Sequence, residues 1–215
     1  MIDIIYEDNH LLVLNKPAGI LTQPSGTDQL NLEDEAKKWI KAKYQKPGNV
    51  FLEAVHRIDK PVSGLVVFCK TSKSLSRLNS TIRAKEAKKT YLAWVEGSLE
   101  GKGVLQNHLA HDEHLAKVVH RRHPDAKWAS LNYYVIRKSE GKTLVEIDLE
   151  TGRYHQIRVQ FATIDRPICG DVRYGGKPSK TLPDVIALHH VKLIIPHPIS
   201  RELLTFEAPL PNYFH

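Results

Sequence analysis

Residues 56–68 read HRIDKPVSGLVVF. Val66, Val67 and Phe68 run into Cys69 without a charge, the pattern of a buried strand going into a core. A His-Arg pair, one carboxylate and a Ser-Gly turn stand at the mouth of that strand. Polar groups crowded at such a place need partners within a bend, or a ligand. A strand buried this way also needs neighbours, and the sequence supplies them. Residues 2–6 and 11–15 read as two short strands before a Pro-Ala-Gly turn, and KKTYLAWVEG (88–97) as another that ends at a glycine. Residues 127–138 and 143–151 read as a strand pair turning at Gly141-Lys142, in which TLVEIDLE alternates as a half-buried strand does. ALHHVKLII and ELLTFEAP finish the chain as strands.

Helices are few. Asn31, with Asp34 three residues on, can cap a helix over LEDEAKKWIKAKYQ that Pro47-Gly48 stops. Thr71 caps a second helix, with Leu75, Leu78 and Ile82 on one stripe and Lys73 and Arg77 on the opposite face. Ile157, Phe161 and Ile164 mark a short third helix, ended near Pro167. Strands outnumber helices and do not alternate with them. The expectation is an α+β fold: a single catalytic domain over residues 1–215, with a long, largely antiparallel sheet in two halves flanked by helices and a cleft between the halves.

Composition bounds the function. Of 215 residues 31 are Lys or Arg and 24 Asp or Glu, a formal charge of +7 that favours a polyanionic partner without naming one. Cys69 and Cys169 are the only cysteines and form no C-x-x-C pair, so zinc ribbons and thioredoxin-like chemistry are unsupported. The N-terminus carries charges inside its apolar stretch, and no apolar run approaches the ~18 residues that span a bilayer. A cytoplasmic protein without membrane association is expected. His56-Arg57-Ile58-Asp59 is not a kinase catalytic loop: Ile58 interrupts the triplet, and neither D-F-G nor a Gly-rich phosphate loop is present. His108, His111, His114, His120 and His123 form a histidine-rich patch, but no Cys or matched carboxylate completes a familiar metal set.

HRIDKPVSGLV resembles the signature of the RluA-type pseudouridine synthases, H-R-L-D-x-x-T-S-G-L-L, with Ile58 for Leu and Val62 for Thr. Further motifs follow in the family's order. NKPAG (15–19) is similar to N-K-P-x-G, KKTYLAWVEG to the K-x-Y-x-A-x-V-x-G strand, and TGRYHQIRVQ (151–160) to T-G-R-x-H-Q-I-R, departing at Gln160. PICGDVRYGG (167–176) resembles P-I-x-G-D-x-x-Y-G, and ALHH (187–190) the L-H-A element. The resemblance runs from about residue 5 to the C-terminus.

It implies an RNA pseudouridine synthase fold and an isomerase that converts a specific uridine of ribosomal or transfer RNA, acting as a monomer with no metal and no organic cofactor. It assigns Asp59 as nucleophile at the sugar carbon, or as base in forming a glycal-like intermediate. Arg158 matches the family's partner for that carboxylate, with Arg153 the competing candidate; a guanidinium keeps a carboxylate charged and holds it through paired hydrogen bonds. Tyr91 matches the active-site tyrosine, its ring against the uracil and its hydroxyl available for proton transfer. Leu188 supplies an apolar wall to the base pocket. The target must leave its stack, and Arg57 is placed to fill the vacated space or stack on a neighbouring base. His56 reads as a hydrogen-bonded structural residue beside it, and Ser63-Gly64 as the turn presenting Asp59.

Seven basic side chains lie between residues 70 and 89: Lys70, Lys73, Arg77, Arg83, Lys85, Lys88 and Lys89. Part of this run, Lys73 and Arg77 first, reads as phosphate contacts, and HRRH (120–123) as a second RNA surface in a loop. Since the sequence begins directly with the catalytic motifs, substrate choice is expected to come from this domain rather than from an N-terminal RNA-binding module. Two other classes compete: a non-catalytic RNA-binding or folding-assistance protein, and a glycoside hydrolase pairing Glu53 with Asp59.

Overall fold

Why residues 64–69 read as one apolar run is visible in a computed structural model of the chain, which describes residues 2–179 and 183–214. Strand β4 (Ser63–Cys69) is buried at all seven positions. It pairs antiparallel with β2 (Leu11–Lys16), in the register Leu11↔Cys69 to Lys16↔Gly64. β1 (Asp3–Glu7) extends the pairing from β2, and the two-residue β3 (Glu53–Ala54) pairs with the end of β4. On one face Leu11, Val13, Leu65, Val67 and Cys69 form a core with Leu193, Ile195 and Phe206 from β10 (Leu188–Pro196) and β11 (Leu203–Glu207). Leu12, Leu14, Val66 and Phe68, on the other face, are fully buried as well. Both faces of the central strands are covered, so no alternation survives in the sequence.

The chain divides into two compact units, Met1–Lys88 with His190–Pro211, and Lys89–His189 with Asn212–His215. The first also holds α1 (Leu32–Lys43) and α2 (Ser72–Arg83). Both caps are as the sequence indicates: the Asn31 side chain accepts from the Asp34 amide at 2.9 Å, and Thr71 from Ser74 at 3.2 Å. α1 ends at Lys43, short of Pro47-Gly48, because Gln45 takes up a left-handed conformation at φ 49°. Leu78 carries α2 into the core, flanked by Leu75.

In the second unit the strand order is β5 (Lys88–Glu96), β9 (Lys142–Leu149), β8 (Lys127–Ser139), β6 (Lys102–Asp112), β7 (Leu115–Val119), each pair antiparallel. The β8–β9 hairpin turns at Glu140-Gly141, one residue earlier than the sequence suggests; both residues have positive φ, 38° and 76°, as a two-residue hairpin turn requires. α3 (Gln156–Ala162) stops before Ile164, where Asp165 turns left-handed at φ 56°. It places Val159 on Leu109, Ala116 and Ala129. β6 and β7 are strands that the sequence reading did not anticipate. Eleven strands and three α-helices therefore make up the described residues, the α+β class expected.

Candidate active site

In the first unit the Asp59 segment is anchored from the N-K-P-A-G loop. Lys16 ends β2 with its side chain wholly buried, and its Nζ donates to the carbonyls of Pro17 (3.0 Å), Ile20 (2.8 Å) and Lys60 (3.3 Å). The Gly19 amide donates to the same Lys60 carbonyl at 2.8 Å. Buried Thr22 holds the residue on the other side of Asp59, donating to the Ile58 carbonyl (2.9 Å) and accepting from the Ile58 amide (3.2 Å). A turn closed by Val62 N–H to the Asp59 carbonyl at 3.0 Å completes the anchoring. Burial pulls the Lys16 ammonium down to about 7, against the opposing pull of the Asp59 carboxylate.

Asp59 itself is half-buried and Arg57 exposed. His56 Nε2 accepts from the Val67 amide at 3.4 Å, and its ring meets His190 edge-on at 5.4 Å. Gly64 is at φ 114°, and a Cβ there would come within 2.3 Å of the His190 carbonyl oxygen. The Ser63-Gly64 step thus lets β10 approach directly behind the Asp59 turn.

The second unit carries Tyr91, Arg158 and Leu188, all buried. Tyr91 lies in β5 opposite Ile147. Arg158 stands in the first turn of α3. Its Nε and one Nη donate to the two carboxylate oxygens of Asp171, at 2.7 and 2.8 Å, with the pair 3% and 1% exposed. The guanidinium lies over the Tyr174 ring, 5.1 Å from its centroid. The Tyr174 hydroxyl in turn meets His155 Nδ1 at 2.9 Å and accepts from the Ala116 amide at 2.8 Å. Arg153, the competing arginine, is exposed and spends its Nε on the Trp128 carbonyl at 2.8 Å. Asp171 and Tyr174 come from PICGDVRYGG, and their spacing was the signal available for them.

The basic run resolves into different duties. Lys70 donates to Glu7 (2.9 Å) and to the Asp8 carbonyl (2.6 Å), and is a structural cation. Arg77, although on the outer face of α2, donates to the Pro198 carbonyl at 2.9 Å. Lys73 is exposed. HRRH forms the expected exposed turn after β7. His108 and His111 lie on β6, where a spacing of three puts them on opposite faces. Among the described residues no three potential ligands come together as a metal site, and no helix is long and apolar enough to cross a membrane.

Residues 10–163 match the model of the RNA pseudouridylate synthase family. The chain belongs to that family. It is an isomerase that converts uridine in RNA to pseudouridine, so the hydrolase and non-catalytic readings fall away; Glu53 sits exposed in the two-residue β3. The synthase is 38% identical over 215 residues to the "uncharacterized RNA pseudouridine synthase YhcT" of Bacillus subtilis, covering 98% of this chain and 69% of that one. It is 34% identical to the Haemophilus influenzae "dual-specificity RNA pseudouridine synthase RluA", covering 96% of this chain and 92% of the relative. The "ribosomal large subunit pseudouridine synthase D" of Nitrosomonas europaea is also 34% identical, covering 97% of this chain and 62% of the longer relative. Human RNA pseudouridylate synthase domain containing 4 shares the fold, with a TM-score of 0.82 at 24% identity, covering 99% of this chain and 90% of the human one.

Proposed function

We propose that the synthase isomerises a specific uridine of ribosomal RNA, with Asp59 performing the covalent step. Asp59 attacks the ribose C1′ as the bond to uracil N1 breaks, or takes the C2′ proton to leave a glycal. The freed uracil turns and bonds through C5 to C1′, which releases the Asp59 carboxylate from its ester or, on the glycal route, is accompanied by return of the C2′ proton; loss of the C5 proton and protonation of N1 then restore the ring. Atoms balance without a co-reactant. Tyr91 is assigned the uracil face and that last proton, Arg158 the charge that favours an ionised Asp59, and Leu188 an apolar wall for the base. Arg57 takes the space left by the flipped nucleotide, with His56 supporting it. Lys73 and Arg77 are assigned to phosphates, Arg77 at the cost of its bond to Pro198. The whole chain is read as one catalytic domain, acting in the cytoplasm as a monomer.

The observation that carries this reading is the anchoring of the Asp59 segment on both sides, by Lys16 at Lys60 and by Thr22 at Ile58. A reacting carboxylate needs that fixity, since small misplacements at the reacting centre are costly. The ribosomal target is inferred from the large-subunit specificity in the name of the Nitrosomonas relative. Mapping pseudouridine in cellular RNA with and without the gene identifies the position, and Asp59→Asn supplies the chemical test. Its rate should fall at least a thousandfold, ~4 kcal/mol of transition-state stabilisation, with RNA affinity and fold retained. Single-turnover product at near wild-type rate would refute the assignment.

A further inference from the structure

Lys89 is an ammonium that no group among the described residues neutralises. It precedes Tyr91 by two residues on β5, so both side chains leave the same face of the strand, their Cα atoms about 7 Å apart. Lys89 is half-buried, yet no side chain or carbonyl among the described residues accepts a hydrogen bond from it or forms an ion pair with it. Asp148, the carboxylate on the paired strand, stands opposite Thr90 on the other face and receives the Thr90 hydroxyl at 3.3 Å. Glu150, just beyond the strand end, accepts from the Asn132 side chain at 3.0 Å. Burial alone lowers the Lys89 ammonium. A cation in that condition is a cost to the free protein, and it is relieved by an anion arriving from outside.

Gly152 gives an independent indication. Its φ is not in the left-handed region, and a Cβ there would clash with nothing; the one atom within 4 Å would be Lys89 Nζ, at 3.8 Å. Neither backbone conformation nor internal packing asks for glycine at this position. Its bare Cα leaves this side of the Lys89 ammonium without a neighbouring side chain. The segment around it is held in place, because Gln156 Oε1 accepts from the Thr151 hydroxyl (2.8 Å) and the Arg153 amide (3.0 Å).

We infer that Lys89 and Gly152 form a seat for one backbone phosphate of the RNA, next to the nucleotide that Tyr91 contacts. The inference rests on the proposed placement of Tyr91 against the target base, and phosphate is the anion that RNA brings. Strand spacing keeps the two contacts within the span of one nucleotide. Lys89 is then a positioning residue: it fixes where the flipped nucleotide sits and takes no part in bond making.

The experiment measures binding of an unmodified large-subunit ribosomal RNA transcript across a salt series for wild type, Lys89→Met, Lys89→Arg and Gly152→Ala. Lys89→Met should bind about tenfold more weakly, with the slope of log affinity on log salt shallower by ~0.7 to 0.9, one phosphate's worth. Lys89→Arg should stay within about threefold of wild type, since the charge is kept. Gly152→Ala should weaken binding, and by less when Lys89 is already Met, because both changes damage one contact. The Lys89→Met protein should melt at or above the wild-type temperature, which separates a lost ligand contact from a damaged fold. An unchanged salt slope in folded Lys89→Met overturns the seat, as does failure of wild type to bind the transcript. If wild type binds yet makes no pseudouridine in any RNA, the functional reading fails while the slope still decides the phosphate contact.

Discussion

Replacing Asp171 by Asn tests whether the buried pair under α3 is held by charge or by shape. The two side chains are 3% and 1% exposed and joined by bonds of 2.7 and 2.8 Å. Removing one member of such a pair leaves the other charged in a medium that solvates it poorly, at ~3–5 kcal/mol. Asn keeps the volume and one acceptor, so the loss should fall near the lower figure, ~3 kcal/mol, a large part of the ~5–15 kcal/mol that holds a typical fold. In a chain of this size that is a fall of roughly 6–12 °C in melting temperature. Arg158→Lys keeps the charge but not the fork, so Asp171 is met by one point contact and the plane over Tyr174 is lost. It should cost less stability than Asp171→Asn and about a hundredfold in single-turnover rate.

The decisive protein is the double variant, Arg158→Met with Asp171→Leu. Both desolvation penalties disappear together, so its stability should return to within ~1–2 kcal/mol of wild type while activity stays lost. Urea unfolding of the four proteins, with midpoint and slope both fitted, supplies the stabilities. A double variant as unstable as Asp171→Asn would show that this corner depends on the shape of the pair rather than on its charges. An Asp171→Asn protein within ~0.5 kcal/mol of wild type would refute the reasoning altogether.

Tyr91→Phe keeps the ring in its buried place and deletes the hydroxyl; RNA should bind normally while product formation falls about a hundredfold, and full activity would return the residue to packing. Glu7 is raised by burial but carried below the usual carboxylate range, to about 2, by hydrogen bonds from Lys43, Lys70 and Tyr44. Its contribution, ~3 kcal/mol at 1.36 per unit, is therefore present above pH 4.5 and lost as pH falls towards 2. Acid unfolding curves of wild type and Glu7→Gln should converge over that window. Lys16 has the opposite dependence: with a folded value of about 7 against 10.5, the unfolded chain holds a proton the folded one lacks, so stability rises with pH between them by at most ~5 kcal/mol. Lys16→Met should flatten that part of the urea-midpoint profile; parallel curves would show that the three carbonyls fully compensate the buried charge.

The sequence reveals most clearly those elements whose signal is local. Caps at Asn31 and Thr71 are chemical contacts between residues three apart, and β4 is recognisable because nothing polar interrupts it. β6 was hidden for the converse reason. Val104 is 55% exposed, Leu109 and Ala110 are adjacent and both buried, and neither a period of two nor one of 3.6 runs through KGVLQNHLAHD. Its identity as a strand comes from eight residue pairings with β8, which no local pattern announces. The hairpin turn slipped by one because Glu140, a residue with no turn preference, takes the positive φ that glycine would advertise.

The site shows the same division more sharply, and buried charge explains why. Asp59, Tyr91 and Arg158 receive roles through motif resemblance, whereas Lys16, Asp171 and Lys89 lie inside the same motifs with nothing in the sequence to say what each one meets. A buried cation has to be answered by something, and the answer cannot be read from the cation itself. Arg158 is answered by a carboxylate thirteen residues on, and Lys16 by three backbone carbonyls, one of them 44 residues away. Both answers lie inside the protein, so these residues stiffen it before any RNA arrives. Among the described residues Lys89 has neither a carboxylate nor a carbonyl to meet it, and Gly152 puts no side chain beside its Nζ. The same physical demand therefore fixes two of these cations in place from within, Arg158 in the position its proposed catalytic part needs, and on our inference turns the third towards the substrate. A fold that satisfied all three internally would be more stable, and it would have nothing at this place with which to hold a phosphate.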